Sequence, residues 1–168
     1  HLLFTDPFVG TFAALLLLPD GPGPHPALLA VHGHATEAAD WPDGYGALDY
    51  VDAGYAVLAT EHRLMYADAA ENAAGRFLLL SGLTLAGLHI YEMLLAQKFL
   101  RSSALVDGEA LGLLGHSAGA NKANLLLRIA DAFDAVVTDV DTEVVYEGAT
   151  QQFHEAFVPA LWPYQDLI

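Results

Sequence analysis

The sequence predicts an α/β fold: a doubly wound, mostly parallel sheet with helices on both faces. Three observations predict it. Short segments that are apolar throughout recur along the chain, as strands covered on both faces must be. Helical segments alternate with them and supply the crossovers that parallel strands need. One apolar segment runs directly into a glycine-flanked turn and then a helix, around Ser117.

The elements follow in order. Residues 12–18 form an apolar run ended by Pro19-Asp20-Gly21-Pro22-Gly23-Pro24, a strand closed by a turn. Residues 27–31 read as a second strand and lead straight into His32-Gly33-His34. Residues 41–44 read as a loop and 45–53 as a short helix stopped by Gly54. Residues 55–60 are the next buried strand, ending at Glu61-His62-Arg63. The polar, Ala-rich residues 66–75 are expected to form a mobile excursion. A long helix is expected over 81–100. Asp107-Gly108 signals a turn, 110–114 a strand, 120–130 a helix and 135–138 a final buried strand.

Residues 77–100 are apolar enough to raise the question of a membrane span. Ser81, Thr84, His89, Glu92, Gln97 and Lys98 interrupt them, which favours a helix buried inside a globular domain. No membrane partner is expected. From Asp139 onward the chain is irregular, aromatic and proline-containing, unlike another strand–helix unit. With 168 residues, no repeat and no linker, residues 1–168 are expected to form one domain.

Composition narrows the function classes. The chain is 54% hydrophobic, ample for a buried core. Six Lys+Arg face 21 Asp+Glu, a formal net charge of −15. Nucleic-acid binding needs a basic face to displace counterions, and this chain supplies none. There are no cysteines, which excludes disulfides, thiolate metal sites and a cysteine nucleophile.

Gly115-His116-Ser117-Ala118-Gly119 fits G-x-S-x-G. In this motif a strand turns sharply into a helix with the serine at the apex, and glycines two positions either side avoid a clash. The turn lifts the hydroxyl of Ser117 above the sheet edge and sets the Ala118 N–H at a helix start, where the dipole favours an anion. Ser117 as a merely small turn residue is the plainer alternative. His32-Gly33-His34 is the second signal. It follows a buried strand, and Gly33 would let the backbone approach a substrate closely. The His34 N–H is the expected second donor to an oxyanion, alongside Ala118. His32 is read as a brace of its own loop. H-x-H after a strand also fits a metal pair, with Asp139, Asp141 or His62 completing the site.

Further residues divide between structure and function. Asp49, Asp52, Glu61 and Glu92 read as solvated or helix-capping charges, and Arg63 as a structural partner for a carboxylate. Trp41, Trp162 and Tyr164 fit either a pocket rim or packing. Asn121, Lys122 and Asn124 are expected on the polar face of the helix after Ser117.

The segments LLLLPDGPGPHPALLAVHGH, GYAVLATEHR, LGLLGHSAGA and DAVVTDVDTE, in this order over most of residues 12–145, resemble α/β-hydrolases of the dienelactone-hydrolase and acetyl-xylan-esterase-like group. The resemblance implies the α/β-hydrolase fold and a serine esterase cleaving carboxylic esters through an acyl-enzyme on Ser117. It implies an oxyanion hole from Gly33, His34 and Ala118, a small-molecule ester substrate, no cofactor and no catalytic metal. It also implies a triad in the order Ser, acid, His, each partner following a strand beyond 135–138. Only 51 residues follow Ser117. The fold is therefore expected to be truncated before its last strands, with the catalytic Asp and His on a missing segment or a second chain. Two other readings stay open: Asp139 or Asp141 with His154 as unusual partners, or a catalytically inactive hydrolase-like domain. A metal-dependent hydrolase using His32 and His34 is the remaining alternative.

Overall fold

The computed structural model describes residues 1–65, 68–130 and 133–139, and no side chain of residues 68 and 69. Within them the chain builds a six-stranded mixed sheet. The strands are β1 (Leu2–Asp6), β2 (Gly10–Leu17), β3 (His25–Val31), β4 (Ala56–Thr60), β5 (Val106–His116) and β6 (Ala135–Asp139). Their order is β1-β2-β4-β3-β5-β6. β1, β2 and β4 pair antiparallel in sequence, whereas β4, β3, β5 and β6 are mutually parallel.

Residues 27–31 of β3, all of β4 and residues 111–115 of β5 are buried, whereas β6, expected as a buried strand, is mostly exposed because it is the last strand of the described sheet. Ala27, Leu29 and Val31 of β3 face one core, with Ala56 and Leu58 of β4 and Leu111 and Leu113 of β5. Helices α4 (Leu85–Ser102) and α5 (Ala118–Ile129) close this core through Ile90, Met93, Ala96, Leu100, Ala123 and Leu126. Leu28, Ala30, Val57, Ala59 and Leu114 face the opposite core, packed against Trp41 and Ala47 of the short helices α1 (Trp41–Gly44) and α2 (Ala47–Asp52). The alternation along each strand and the helices on both sides are the doubly wound arrangement the sequence predicts.

Several boundaries differ from the sequence reading, each for a local reason. Strand β1 was not foreseen; only one face of it is half-buried, through Leu2, Phe4 and Asp6, and Phe4 stacks on Phe12 of β2 at 4.9 Å. Residues 41–44 are a helical turn, with Pro42 at its start, where no N–H is missed. Gly46 (φ 72°) separates that turn from α2, which therefore begins at Ala47. The excursion expected over 66–75 is largely helix α3, Asp68–Leu80. Its Ala, Glu and Leu residues are strong helix formers, and their polarity marks a partly exposed helix rather than a loop. The long helix starts at Leu85 because Thr84 caps it, accepting from the Gly87 N–H at 2.9 Å. Asp107-Gly108 lies within β5, where the register against β3 shifts between His25 and Ala27, so the turn signal is a bulge.

No single helix among the described residues is long and apolar enough to cross a membrane. Helices α3 and α4 meet such a test only as a pair bent by 93°. The polar interruptions His89 and Glu92 are buried inside the protein.

Candidate functional site

Four parallel strands end at one edge of the sheet. Val31 of β3 stands beside Thr60 of β4 and Gly115 of β5, and His116 beside Asp139 of β6. The segments that follow, His32-Gly33-His34, Glu61-His62-Arg63 and Ser117, therefore gather at the carboxyl edge, where open α/β sheets place their ligands.

Ser117 joins β5 to α5 with φ 52° and ψ −117°. That conformation is costly for a residue with a side chain, on the order of 1–3 kcal/mol, and persists only where its surroundings impose it. Two glycines do so. A methyl at Gly115 would stand 2.8 Å from Ala120 Cα, and one at Gly119 would stand 2.2 Å from the Val31 carbonyl oxygen. The helix start thus presses against both its own strand and β3. The Ser117 N–H is held by the Asp139 carbonyl at 3.2 Å. Its side chain makes no capping bond, and the first N–H groups of α5 lack helical acceptors.

The Gly33 loop lies directly over this turn. A methyl at Gly33 would be 2.9 Å from Ser117 Cβ and 3.2 Å from the His116 carbonyl oxygen. The Gly33 carbonyl is held by His32 Nδ1 and by the Thr36 hydroxyl, each at 2.9 Å. Since C=O and N–H of a trans peptide point in opposite directions, the His34 N–H is turned to the other side. The His34 ring meets Glu71 of α3 at 3.0 Å.

His32 is fully buried and braces the loop, as its sequence position predicts. Its Nδ1 carries the hydrogen given to Gly33, and its Nε2 accepts from the His62 N–H at 3.0 Å. Both His32 nitrogens are thus engaged by the loop backbone in this arrangement.

The His116 ring lies beside the Gly33 loop, its Cδ2 3.0 Å from where a methyl at Gly33 would stand. It packs 4.4 Å from the ring of Tyr45, and its Nδ1 pairs with Asp139 Oδ1 at 2.5 Å. A cleft of about 320 Å³ opens along Trp41, Tyr45, Tyr50, His116, Val137 and Asp139. Trp41 is thus both a packing anchor, 5.0 Å from Tyr45, and a cleft wall. Asp141, His154, Trp162 and Tyr164 lie outside the described residues.

Glu61 is a capping charge, as expected: it accepts at 2.8 Å from the N–H of Ala38, the first residue of a 3₁₀ turn (Ala38–Asp40), and it approaches His32. Two side chains depart from their expected surroundings. Lys122 is buried, not on a polar face, with its Nζ 3.4 Å from the Ala118 carbonyl. Glu92 is fully buried, although a helical glutamate is ordinarily solvated. Arg63 pairs with it through Nε at 2.6 Å and through its terminal nitrogen, as the structural reading of Arg63 expects. Burial pushes the Glu92 carboxyl up to about 7, outweighing the opposite pull of Arg63. His62 and His89 pack beside it, their rings 5.0 Å apart. The i, i+3 spacing of His89 and Glu92 was the only sequence sign of this cluster.

No family model matches the sequence, and none of the curated proteins compared with it matches. Solved structures do. A protein assigned as an acetyl xylan esterase from Bacteroides fragilis aligns with TM-score 0.67 at 19% identity, covering 79% of this chain and 42% of that one. Acetyl xylan esterase 1 from Thermoanaerobacterium sp. JW/SL YS485 aligns with TM-score 0.60 at 21% identity, over 80% of this chain and 45% of that one. A carboxyl esterase from Bacillus coagulans aligns with TM-score 0.56 at 17% identity, over 82% and 42%. The chain thus spans less than half the length of these proteins. Strand order, helices on both faces and these alignments agree that the chain has the α/β-hydrolase fold.

Proposed function

We propose that the protein is a serine hydrolase that cleaves carboxylic esters through an acyl-enzyme on Ser117. The observation that carries this reading is the strained Ser117 at the sheet edge, facing the Gly33 loop across the start of α5. Strain held at one residue by two close-packed glycines is a recurrent property of functional turns.

In this reading the Ser117 hydroxyl attacks the ester carbonyl carbon while a base takes its proton. The negative charge that forms on the carbonyl oxygen is held by the N–H groups of Ala118 and His34. Each such donor is worth about 3–4 kcal/mol in the transition state. Collapse expels the alcohol, which regains a proton, and water then releases the acid from Ser117 by the same steps in reverse order. Gly33 contributes close approach. The acid and imidazole of the triad are assigned to chain outside the described residues or to a second chain. The esterases among the structural neighbours support an ester as substrate.

One observation favours a second reading, an inactive hydrolase-like domain. Among the described residues no imidazole is hydrogen-bonded to Ser117, and the adjacent His116 is committed to Asp139. Hydrolysis of p-nitrophenyl acetate separates the two. The serine reading predicts turnover that falls by about 10⁴-fold or more in Ser117→Ala. A folded Ser117→Ala protein as fast as the wild type contradicts it, and a folded wild type without turnover favours the inactive domain.

A further inference from the structure

We propose that His62, His89 and Glu92 form a site for a zinc-class divalent ion, which staples the end of β4 to α4 beneath the Gly33 loop. This site is separate from the Ser117 chemistry, and the proposal does not depend on that reading.

The three side chains come from two elements distant in sequence, and each is fully buried. Each offers one ligand atom within 4.8 Å of the other two. Bonds of about 2.0–2.1 Å around a tetrahedral ion set its ligands roughly 3.4 Å apart, so closing the site requires movements within about 1 Å per side chain.

The outer contacts of the cluster are those that orient metal ligands. His89 Nε2 lies 3.0 Å from the Arg63 carbonyl, which can only accept, so Nε2 carries the hydrogen. The neutral ring then presents Nδ1 as its lone pair. His62 Nε2 meets the Thr60 hydroxyl at 3.1 Å, turning the same ring edge outward. Glu92 is held through one oxygen, Oε1, by Arg63. Its other oxygen, Oε2, is buried and has no hydrogen-bond partner among the described residues. An acceptor left so is destabilising, and a cation beside it satisfies it. Two imidazoles and one carboxylate suit zinc, whereas calcium and magnesium prefer oxygen alone. Arg63 opposes a second cation by Coulomb repulsion, yet it occupies only the Oε1 side.

The site has a mechanical outlet. The His62 N–H donates to His32 Nε2, and His32 Nδ1 holds the Gly33 carbonyl. An ion that immobilises His62 therefore steadies the brace of the loop over Ser117.

The test is metal content and thermal unfolding of the full chain, produced with zinc in the medium. The expected result is one zinc per chain by elemental mass spectrometry and a thermal midpoint that falls after chelation. His89→Gln and Glu92→Gln keep the side-chain shape and are expected to lose the zinc; His89→Gln is expected to keep the midpoint of the chelated wild type, and Glu92→Gln to fall below it because it also removes the ion-pair partner of Arg63. Thr60→Val removes only an outer contact and is expected to weaken zinc binding by about 10–100-fold. His25→Gln, remote from the cluster, is expected to bind as the wild type. Zinc-free wild type, or zinc retained equally by His89→Gln and Glu92→Gln, overturns the proposal. If either glutamine variant fails to fold, cobalt in the wild type still decides. Intense visible bands of tetrahedral cobalt with nitrogen ligands support the site, and the pale spectrum of hydrated cobalt overturns it.

Discussion

Position 119 tolerates no side chain because its methyl would meet backbone, the Val31 carbonyl oxygen at 2.2 Å. At position 33 the methyl would meet Ser117 Cβ at 2.9 Å, a side-chain atom of the proposed nucleophile. These two contacts predict different phenotypes. Gly119→Ala is expected to destabilise by about 3 kcal/mol, the upper range for overpacking. Gly33→Ala is expected to cost about 1 kcal/mol of stability but most of the ester hydrolysis. Urea unfolding and initial rates on each variant check both; equal losses of stability and activity in the two would contradict the distinction. At this scale the G-x-S-x-G and H-G-H pieces were readable because each residue type answers a backbone requirement. Glu92 and Lys122 were not, since burial of a charge depends on Arg63 and the Ala118 carbonyl, partners far along the chain or a turn away.

Among the elements, α4 owes its start to one side chain. Thr84 accepts from the Gly87 N–H at 2.9 Å, and Gly82 (φ 76°) turns the chain just before it. Thr84→Ala is expected to lower stability by about 1 kcal/mol without changing the urea m-value. A loss below about 0.3 kcal/mol would show that α4 is set by its buried face alone. The uniformly apolar strands β3 and β4 were legible because a sheet covered on both sides leaves no alternation to confuse. Helix α3 was not, because propensity and polarity disagree in an Ala-rich polar stretch. Strand β1 was missed because only one of its faces is half-buried.

For the whole molecule, a net charge of −15 sets carboxylates against one another over a surface of modest size. Raising ionic strength from about 0.01 M to 0.15 M shortens the screening length from about 30 Å to 8 Å. The thermal midpoint is therefore expected to rise over that range, with sodium chloride as the salt, because self-repulsion favours the expanded chain. A midpoint that falls would place the stabilising electrostatics in surface ion pairs instead. The fold class was legible at this scale from strand–helix alternation. The triad partners were not, since they depend on chain that the sequence pattern does not resolve into strands.

One hydroxyl, that of Ser117, is the proposed nucleophile. A fluorophosphonate reacts with an activated serine and leaves a stable adduct, so peptide mass spectrometry of the treated, full-length protein tests it most directly. A single adduct is expected on the peptide holding Ser117, and none in Ser117→Ala. An ester-hydrolysing protein whose adduct sits on another residue, or that takes no adduct, contradicts it.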